Sequence, residues 1–159
     1  MIATMISRNA RRRLIRMGKR VLHKWLGTGY IEGLKGGSFN NFVKLSENWG
    51  LKFATNKKQV LANYRRQRRA SRLGLGPACF GLINCDNEVW GYITQVVTVV
   101  SDTHIKFERN PESIPEISKK VFRLVKQLED KISFEFNDTK TNNLGFMGSN
   151  LVCIDFDVY

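Results

Sequence analysis

The segment from 136 to 157 combines the side-chain types that phosphoryl transfer needs. The loop Phe136-Asn137-Asp138-Thr139-Lys140-Thr141-Asn142-Asn143 holds an aspartate, a lysine two positions later and an asparagine five positions later, and Ile154-Asp155-Phe156-Asp157 follows. A carboxylate can orient an attacking hydroxyl and accept its proton, a cation can offset phosphoryl charge, and amide and carboxylate oxygens can hold Mg²⁺. The alternative is a solvated loop rich in Asn and Asp, followed by a buried strand.

A second group of residues, in the first half of the chain, suits contact with phosphates. Gly36-Gly37-Ser38 lies between two apolar runs, and such small residues let backbone N–H groups approach a phosphate. Lys52 interrupts the apolar run Trp49-Gly50-Leu51-Lys52-Phe53. Each has an ordinary alternative, which is a glycine-containing hairpin turn for the first and a solvent-facing edge residue for the second.

Together these motifs resemble those of the protein-kinase-like superfamily, over residues 30–159. The catalytic loop of that family reads H-R-D-x-K-x-x-N, and its metal-binding segment reads D-F-G after a short hairpin. The resemblance implies that Asp138 is the catalytic base and Lys140 its cationic neighbour. It also implies that Asn143 and Asp155 hold Mg²⁺.

The same resemblance implies a set of ATP-binding residues, which are Gly36, Gly37, Ser38, Lys52, Gln95 and Val97. The first three match the glycine-rich loop that covers the phosphates, and the lysine matches the one that contacts the α- and β-phosphates. The last two mark the end of the fifth strand and the linker that follows it, where adenine would lie against the backbone.

Three features depart from the family pattern. The helix after Lys52 lacks the expected glutamate, because no acidic residue lies between Glu47 and Asp86. Asp157 replaces the glycine of D-F-G and adds a carboxylate near the expected metal. The resemblance reaches Tyr159 before any activation segment or most of the larger lobe, so we expect a minimal or truncated kinase-like domain.

The elements that position these residues alternate between helix and strand. Apolar spacing predicts helices over 6–26, 57–73 and 115–132, strands over 30–34, 39–45, 49–54, 78–84 and 89–100, and short strands around Gly148-Ser149-Asn150. A hairpin turn is predicted at Asp86-Asn87. The order predicts an α+β fold with a mainly antiparallel sheet of about five strands. We expect a basic helical extension (1–29), a kinase-like small lobe (30–100) and a truncated part of the large lobe (101–159).

The charge of the chain points to an anionic partner. The 159 residues carry 26 Lys and Arg against 14 Asp and Glu, a net charge of +12. Residues 1–76 hold 18 basic and two acidic residues, a net of +16, so the remainder carries −4. The two basic helices could bind nucleic acid, an acidic protein or an anionic membrane surface. Trp25 and Tyr64 are candidates to stack on bases.

The resemblance implies ATP- and Mg²⁺-dependent phosphoryl transfer, with a protein Ser/Thr hydroxyl as the acceptor. One alternative is a catalytically inactive kinase-like binding or inhibitor module that uses its basic helices to bind nucleic acid or an acidic protein. Another is an unrelated α+β nucleic-acid-binding protein. If most of the larger lobe is missing, helix 115–132 exposes an apolar face, so we expect a homodimer or a partner protein that covers it.

The compartment follows from cysteines and hydropathy. The three cysteines, Cys79, Cys85 and Cys153, have no zinc-ligand spacing, and two histidines are too few for a metal site. No apolar run reaches the roughly 18 residues that a membrane span needs. These features predict a cytoplasmic protein with reduced thiols and no transmembrane segment.

Overall fold

The computed structural model describes residues 6–36, 40–100, 115–137, 139 and 143–157. The chain divides into two compact units: unit 1 comprises Met1–Arg65 and Ala78–Val96, and unit 2 comprises Arg66–Pro77 and Val97–Tyr159. The described part contains three helices and two antiparallel sheets, one of five strands and one of three. This confirms the predicted α+β fold class.

Unit 1 is built on the five-stranded sheet. Its strands are β1 (Lys35–Gly36), β2 (Asn41–Lys44), β3 (Trp49–Ala54), β4 (Cys79–Cys85) and β5 (Val89–Gln95). They are antiparallel and lie in the order β1-β2-β3-β5-β4, so β3 has a neighbouring strand on each side. The predicted turn at Asp86-Asn87 is confirmed, because both residues have φ of 53°, as a type I′ hairpin turn requires.

Helix α1 (Arg8–Thr28) packs on one face of this sheet. The Ser7 side chain begins the helix by accepting a hydrogen bond from the Ala10 N–H at 3.1 Å, and Gly29 ends it with φ of 69°. The apolar stripe of the helix contacts β3, β4 and β5 in one core, whose most buried members include Leu14, Leu22, Leu51, Phe53 and Ile93. Helix α1, which lies within the basic extension predicted for 1–29, thus contributes its apolar side to the core of unit 1.

The opposite face of the sheet contacts the first half of helix α2 (Lys57–Arg72). Val60 and Tyr64 of the helix pack with Ala54 and Tyr92 of the sheet, and the two tyrosine rings are 5.1 Å apart. From Arg66 onward the helix belongs to unit 2. The sheet of unit 1 therefore has helical cover on both faces.

Two predicted strands have different bounds in the structure. The strand predicted over 30–34 is wrong, because Gly33 has φ of 77° and the Leu34 N–H bonds back to the Ile31 carbonyl at 3.2 Å, which forms a turn. The strand predicted over 89–100 breaks after Gln95. Residues 98–99 pair in the sheet of unit 2 instead.

Unit 2 combines a helix with the three-stranded sheet. Its elements are β6 (Thr98–Val99), α3 (Pro115–Ile132), β7 (Leu144–Met147) and β8 (Asn150–Cys153), with the strands in the order β6-β7-β8. The helix confirms the bounds predicted from its spacing. Its apolar stripe, which consists of Ile117, Val121, Leu124, Leu128 and Ile132, is buried. The expectation of an exposed apolar face on this helix is therefore wrong, because Phe134, Phe136 and Phe156 pack against the stripe in the unit's own core.

One arginine of α2 is anchored among the aromatic residues of unit 2. The Arg66 Nη1 donates to the Phe156 carbonyl oxygen at 2.8 Å, and its guanidinium lies over the Phe134 ring, 5.9 Å from the centroid. The Phe134 and Phe156 rings are themselves 5.5 Å apart. Since Phe156 directly follows Asp155, these contacts fix the segment that carries the predicted metal ligand.

The chain between α2 and β4 is held by two further hydrogen bonds within unit 2. The fully buried Gln67 donates its Nε2 to the Pro77 carbonyl oxygen at 3.1 Å. The Cys153 N–H donates to the Leu75 carbonyl oxygen at 3.0 Å. The segment after α2 is thereby joined to the end of β8, two residues before Asp155.

We expect Gly91→Ala to destabilise unit 1. A Cβ at this position would lie 2.6 Å from the Lys52 carbonyl oxygen and 2.9 Å from the Phe53 Cβ. Because the backbone of the central strand β3 cannot yield alone, the free energy of unfolding should fall by about 1–3 kcal/mol. All three tryptophans, Trp25, Trp49 and Trp90, lie in unit 1, so urea denaturation followed by tryptophan fluorescence measures the effect.

Gly27→Ala is the matched control, because nothing lies within 4 Å of its added Cβ in the last turn of α1. Alanine has the higher helix propensity, so this substitution should be neutral or should stabilise by up to about 1 kcal/mol. Equal losses of stability in the two variants would contradict the packing of β5 against β3.

We expect Arg66→Ala to lower the free energy of unfolding by about 1.5–3 kcal/mol, the usual range for a hydrogen bond from a charged donor. Far-UV circular dichroism during urea denaturation measures it. Arg66→Lys keeps the charge but loses the planar group over Phe134, so its loss should be intermediate. The neighbouring exposed Arg65→Ala is the control, with an expected change within about 0.5 kcal/mol. If Arg66→Ala behaves like Arg65→Ala, the anchoring role is wrong.

Candidate functional site

Of the ten residues predicted for a nucleotide and metal site, six lie in the described part of the chain. Unit 1 holds Lys52, Gly36 and Gln95, and unit 2 holds Val97, Asn143 and Asp155. The other four, which are Asp138, Lys140, Gly37 and Ser38, lie outside the described residues.

Lys52 lies in the middle of the sheet of unit 1. Phe42 of β2 and Tyr92 of β5 are its direct partners on the two adjacent strands. Directly opposed residues share a face of an antiparallel sheet, while Leu51 and Phe53 on either side contribute to the core under α1. The half-buried lysine therefore lies on the face that α2 contacts, and the alternative of an edge-strand residue is wrong.

The buried side of α2 carries amides where the family pattern has a carboxylate. Its buried residues are Val60, Asn63, Gln67 and Ala70, at spacings of three and four. Asn63, in the same unit as Lys52, is 2% exposed. An amide oxygen can accept a hydrogen bond from an ammonium group but does not neutralise it. The family's glutamate is absent, as the sequence predicted, and the buried face of α2 is therefore uncharged.

Gly36 is the last residue of β1 and pairs with Asn41, the first residue of β2. The segment 37–40 therefore connects two antiparallel strands, as the sequence predicted. A phosphate-covering loop and an ordinary hairpin share this geometry, so both interpretations of the glycine-containing segment stay in place.

The backbone near Gln95 already has partners within unit 1. The Gln95 N–H donates to the Ala78 carbonyl oxygen at 2.8 Å, and its side-chain Oε1 accepts from the Ala78 N–H at 3.2 Å. The next amide, that of Val96, donates to the Asn48 carbonyl oxygen at 2.8 Å. An adenine base that docked on this segment could accept a hydrogen bond from the Gln95 or the Val96 N–H only if the bond described here were broken. The resemblance implies adenine contacts with this backbone, and these two amide donors are already in use.

In unit 2 the β7–β8 hairpin brings Asn143 and Asp155 to the same end. Leu144 pairs with Cys153, and the Ile154 N–H extends the ladder by donating to the Asn143 carbonyl oxygen at 3.0 Å. Asp155 is the next residue. Two predicted metal ligands that are twelve residues apart in the sequence therefore become neighbours, and the short hairpin predicted between them is confirmed.

Short-range hydrogen bonds orient the Asp155 segment. The Asp155 Oδ1 accepts from the Asp157 N–H at 3.0 Å, and the Cys153 Sγ donates to the Asp155 carbonyl oxygen at 3.0 Å. Asp157 is only 7% exposed, although it carries a carboxylate. The Arg66 guanidinium binds the carbonyl of Phe156, which lies between the two aspartates in the chain. A guanidinium group is thus bound to the backbone of the residue that separates the two aspartates.

The oxygen donors at this end of the hairpin suit a hard cation. Carboxylate and amide oxygens are ligands that Mg²⁺ accepts, and Asp155 and Asn143 supply one of each. Among the described residues there is no group of three or more His, Cys, Asp and Glu that could hold a metal. Two such donors would leave most of the coordination positions of a Mg²⁺ ion to other oxygens, such as those of phosphate or water.

The cysteines are free thiols, as predicted, with Cys153 buried and Cys79 and Cys85 half-buried. Desolvation by burial raises the pKa of the Cys85 thiol, and the charges of Asp86 and Glu88 raise it further. A raised pKa leaves less thiolate, which is the nucleophilic form. The raised pKa therefore disfavours the thiolate form of Cys85.

The aromatic residues predicted to stack on bases belong to the core instead. The Trp25 ring meets Phe53 edge-on at 5.5 Å, and Tyr64 packs on Tyr92. The exposed aromatic ring near the basic helix is that of Tyr30, at 65% exposure. The sequence places Tyr30 directly after Gly29, the residue that ends α1, and this position indicates an exposed side chain.

None of the described helices has the length and apolarity to cross a bilayer.

Within the described part of the chain, the predicted site residues thus include a lysine on a central strand of unit 1, and an asparagine and an aspartate at the end of a hairpin in unit 2. Helix α1 adds a basic exposed side. No protein-family model matches the chain, and no curated protein matches its sequence.

Proposed function

We propose that the protein binds ATP with Mg²⁺ and transfers its terminal phosphoryl group to a hydroxyl, as a minimal protein-kinase-like domain. The observation that carries the proposal is the β7–β8 hairpin, which places Asn143 next to the segment of Asp155. The loop that contains Asp138 and Lys140 precedes this hairpin and follows α3. That order of helix, loop, hairpin and metal segment is the one that the sequence resemblance implies.

Unit 1 supports the proposal through its order of elements. A glycine-containing connection joins β1 to β2, the next strand carries Lys52, and α2 and a further hairpin follow. Lys52 is half-buried on a central strand, on the face of the sheet that α2 contacts. These are the positions at which the resemblance places nucleotide contacts.

In the proposed mechanism, residues of the chain bind the phosphates of ATP, orient the acceptor hydroxyl and accept its proton. Lys52 contacts the α- and β-phosphates, and Lys140 offsets charge on the transferred group. Asp138 orients the acceptor hydroxyl and receives its proton as the oxygen attacks the γ-phosphorus and ADP leaves. Asn143 and Asp155 would hold Mg²⁺, which would supply positive charge to offset that of the phosphates.

The acceptor that we propose is a protein Ser or Thr hydroxyl, from the resemblance alone. We place the protein in the cytoplasm, and its three free thiols support a reducing compartment. A homodimer or a covering partner remains a prediction. The buried stripe of α3 removes the apolar face on which that prediction rested.

A second candidate is a catalytically inactive kinase-like module. The observation that favours it is the neutral buried face of α2, where Asn63 and Gln67 stand in place of a carboxylate. In the family pattern a glutamate of this helix positions the lysine, and α2 contains no acidic residue. Such a module would retain binding but not transfer, so separate measurements of binding and transfer distinguish the two candidates.

We expect ATP with Mg²⁺ to raise the melting temperature of the wild-type chain. At a ligand concentration about 100 times Kd the stabilisation is about 2.7 kcal/mol, which corresponds to roughly 5–10 °C. Asp155→Asn should remove most of this shift, because it removes a charged ligand of Mg²⁺. The exposed Asp130→Asn on α3 is the matched control and should keep the full shift. No shift in the wild type, or an unchanged shift in Asp155→Asn, would refute the nucleotide site.

We expect radiolabelled transfer from the γ-phosphate of ATP to protein acceptors to fall by about 10²–10⁴ in Asp138→Asn, because the variant loses its general base. The same variant should keep the thermal shift with ATP and Mg²⁺, since the proposed metal ligands are intact. A wild-type chain that shows the shift but transfers no label would establish the inactive module instead.

A further inference from the structure

We propose that the exposed side of α1 binds the phosphate backbone of nucleic acid. Its central feature is a row of exposed cations at four-residue spacing, here called the cationic row, which consists of Arg8, Arg12, Arg16, Arg20 and Lys24. With a rise of about 1.5 Å per residue, neighbours in the row are about 6 Å apart along the axis, and the row extends about 24 Å. It follows a gently inclined ridge of the helix surface.

The cationic row does not serve the stability of the helix. No acidic residue occurs between 8 and 28, so no ion pair can form within α1, and the row creates four unfavourable like-charge pairs at i,i+4. The helix is held by its apolar side, where Leu14 and Leu22 are buried on the sheet. An external polyanion would relieve the repulsion that the row creates.

An anionic membrane is a poor occupant of this surface. A helix that lies on a membrane inserts its own apolar face between the lipids. In α1 that face is already used, since Leu14, Leu22 and Trp25 pack in the core of unit 1. Arg11 also belongs to the inner side, because its guanidinium lies over the Phe80 ring at 5.0 Å from the centroid. The outward side therefore offers charge without an apolar anchor.

An acidic protein fits less well than nucleic acid, for a related reason. Protein interfaces are centred on apolar or aromatic anchors, whereas phosphate contacts need none. Among the described residues, the exposed large apolar side chains are Tyr30, Leu73, Leu82 and Phe122, and none lies on α1. Four of the five cations are arginines, whose forked donors match phosphate oxygens. Tyr30, just beyond the helix, adds an exposed ring on which a base could stack.

This inference stands apart from the proposed nucleotide site. The cationic row lies in unit 1, and none of its residues has a role in phosphoryl transfer in the proposal above. Asp155→Asn should therefore lose its response to ATP and Mg²⁺ but bind nucleic acid like the wild type.

The test compares two triple variants of the full chain with equal loss of charge. Arg12→Ala/Arg16→Ala/Arg20→Ala removes the centre of the row, and Lys44→Ala/Lys126→Ala/Lys131→Ala removes three exposed cations elsewhere. Binding is measured by fluorescence polarisation with a labelled 20-nucleotide single strand and a 20-base-pair duplex, between 50 and 300 mM NaCl. The two probes separate the two forms of nucleic acid.

We expect wild-type affinity to fall linearly on a log–log salt plot. The row variant should bind about tenfold more weakly or worse at 100 mM NaCl, with a slope smaller by about 2–3, since each phosphate contact contributes nearly one unit. The control variant should stay within about threefold of wild type. Alanine favours helix, so circular dichroism should show α1 intact, and the corresponding Arg→Gln triple variant serves as a second test with a polar side chain.

Three results would overturn the proposal. The first is wild-type binding that is absent or flat with salt. The second is an equal loss in the two triple variants, which would assign binding to net charge. The third is row-dependent binding of poly-glutamate, or of vesicles with 30% phosphatidylserine, as tight as that of the nucleic-acid probes, which would assign the surface to an acidic protein or a membrane.

Discussion

The alternation of side chains along β3 constrains the whole of unit 1. Leu51 and Phe53 must enter the core under α1, so Lys52 between them must lie on the opposite face, beside Tyr92. A slip of one residue would place the ammonium group in the apolar core and two large side chains outside it. The register of this strand therefore determines which side chains pack against α1, which face α2, and on which face the lysine lies.

Unit 2 depends on a different kind of constraint, the closing of a short hairpin. The β7–β8 ladder continues to Asn143 and Ile154, so the polar residues at its open end are neighbours through backbone geometry alone. Arg66 then holds the chain just past Asp155 by its contact with Phe156. The backbone of Asp155 thus lies between the β7–β8 ladder on one side and Phe156, a member of the buried core of unit 2, on the other.

Local patterns in the sequence predicted the helices and turns well, but they did not predict which distant residues pack against them. The spacing of α3 and the turn at Asp86-Asn87 are properties of a few neighbouring residues, and the structure confirms both. The burial of the α3 stripe was not predictable in this way, since it depends on aromatic residues that follow the helix and end at Phe156. The contact of Arg66 with that residue spans 90 positions and has no local signature. The lysine of β3 was identifiable because it interrupts an apolar strand, whereas its partners across the sheet were not.

The like charges along α1 give folding and association opposite responses to salt. Dissolved ions screen the repulsion between successive arginines of the helix, so salt should stabilise the folded helix. The same ions weaken attraction to any polyanion outside it. The surface of α1 is therefore most firmly folded under the ionic conditions in which it attracts least. At low ionic strength the surface attracts a polyanion most strongly, and the repulsion between its own charges is also greatest. A bound polyanion would therefore neutralise these charges and stabilise the folded helix.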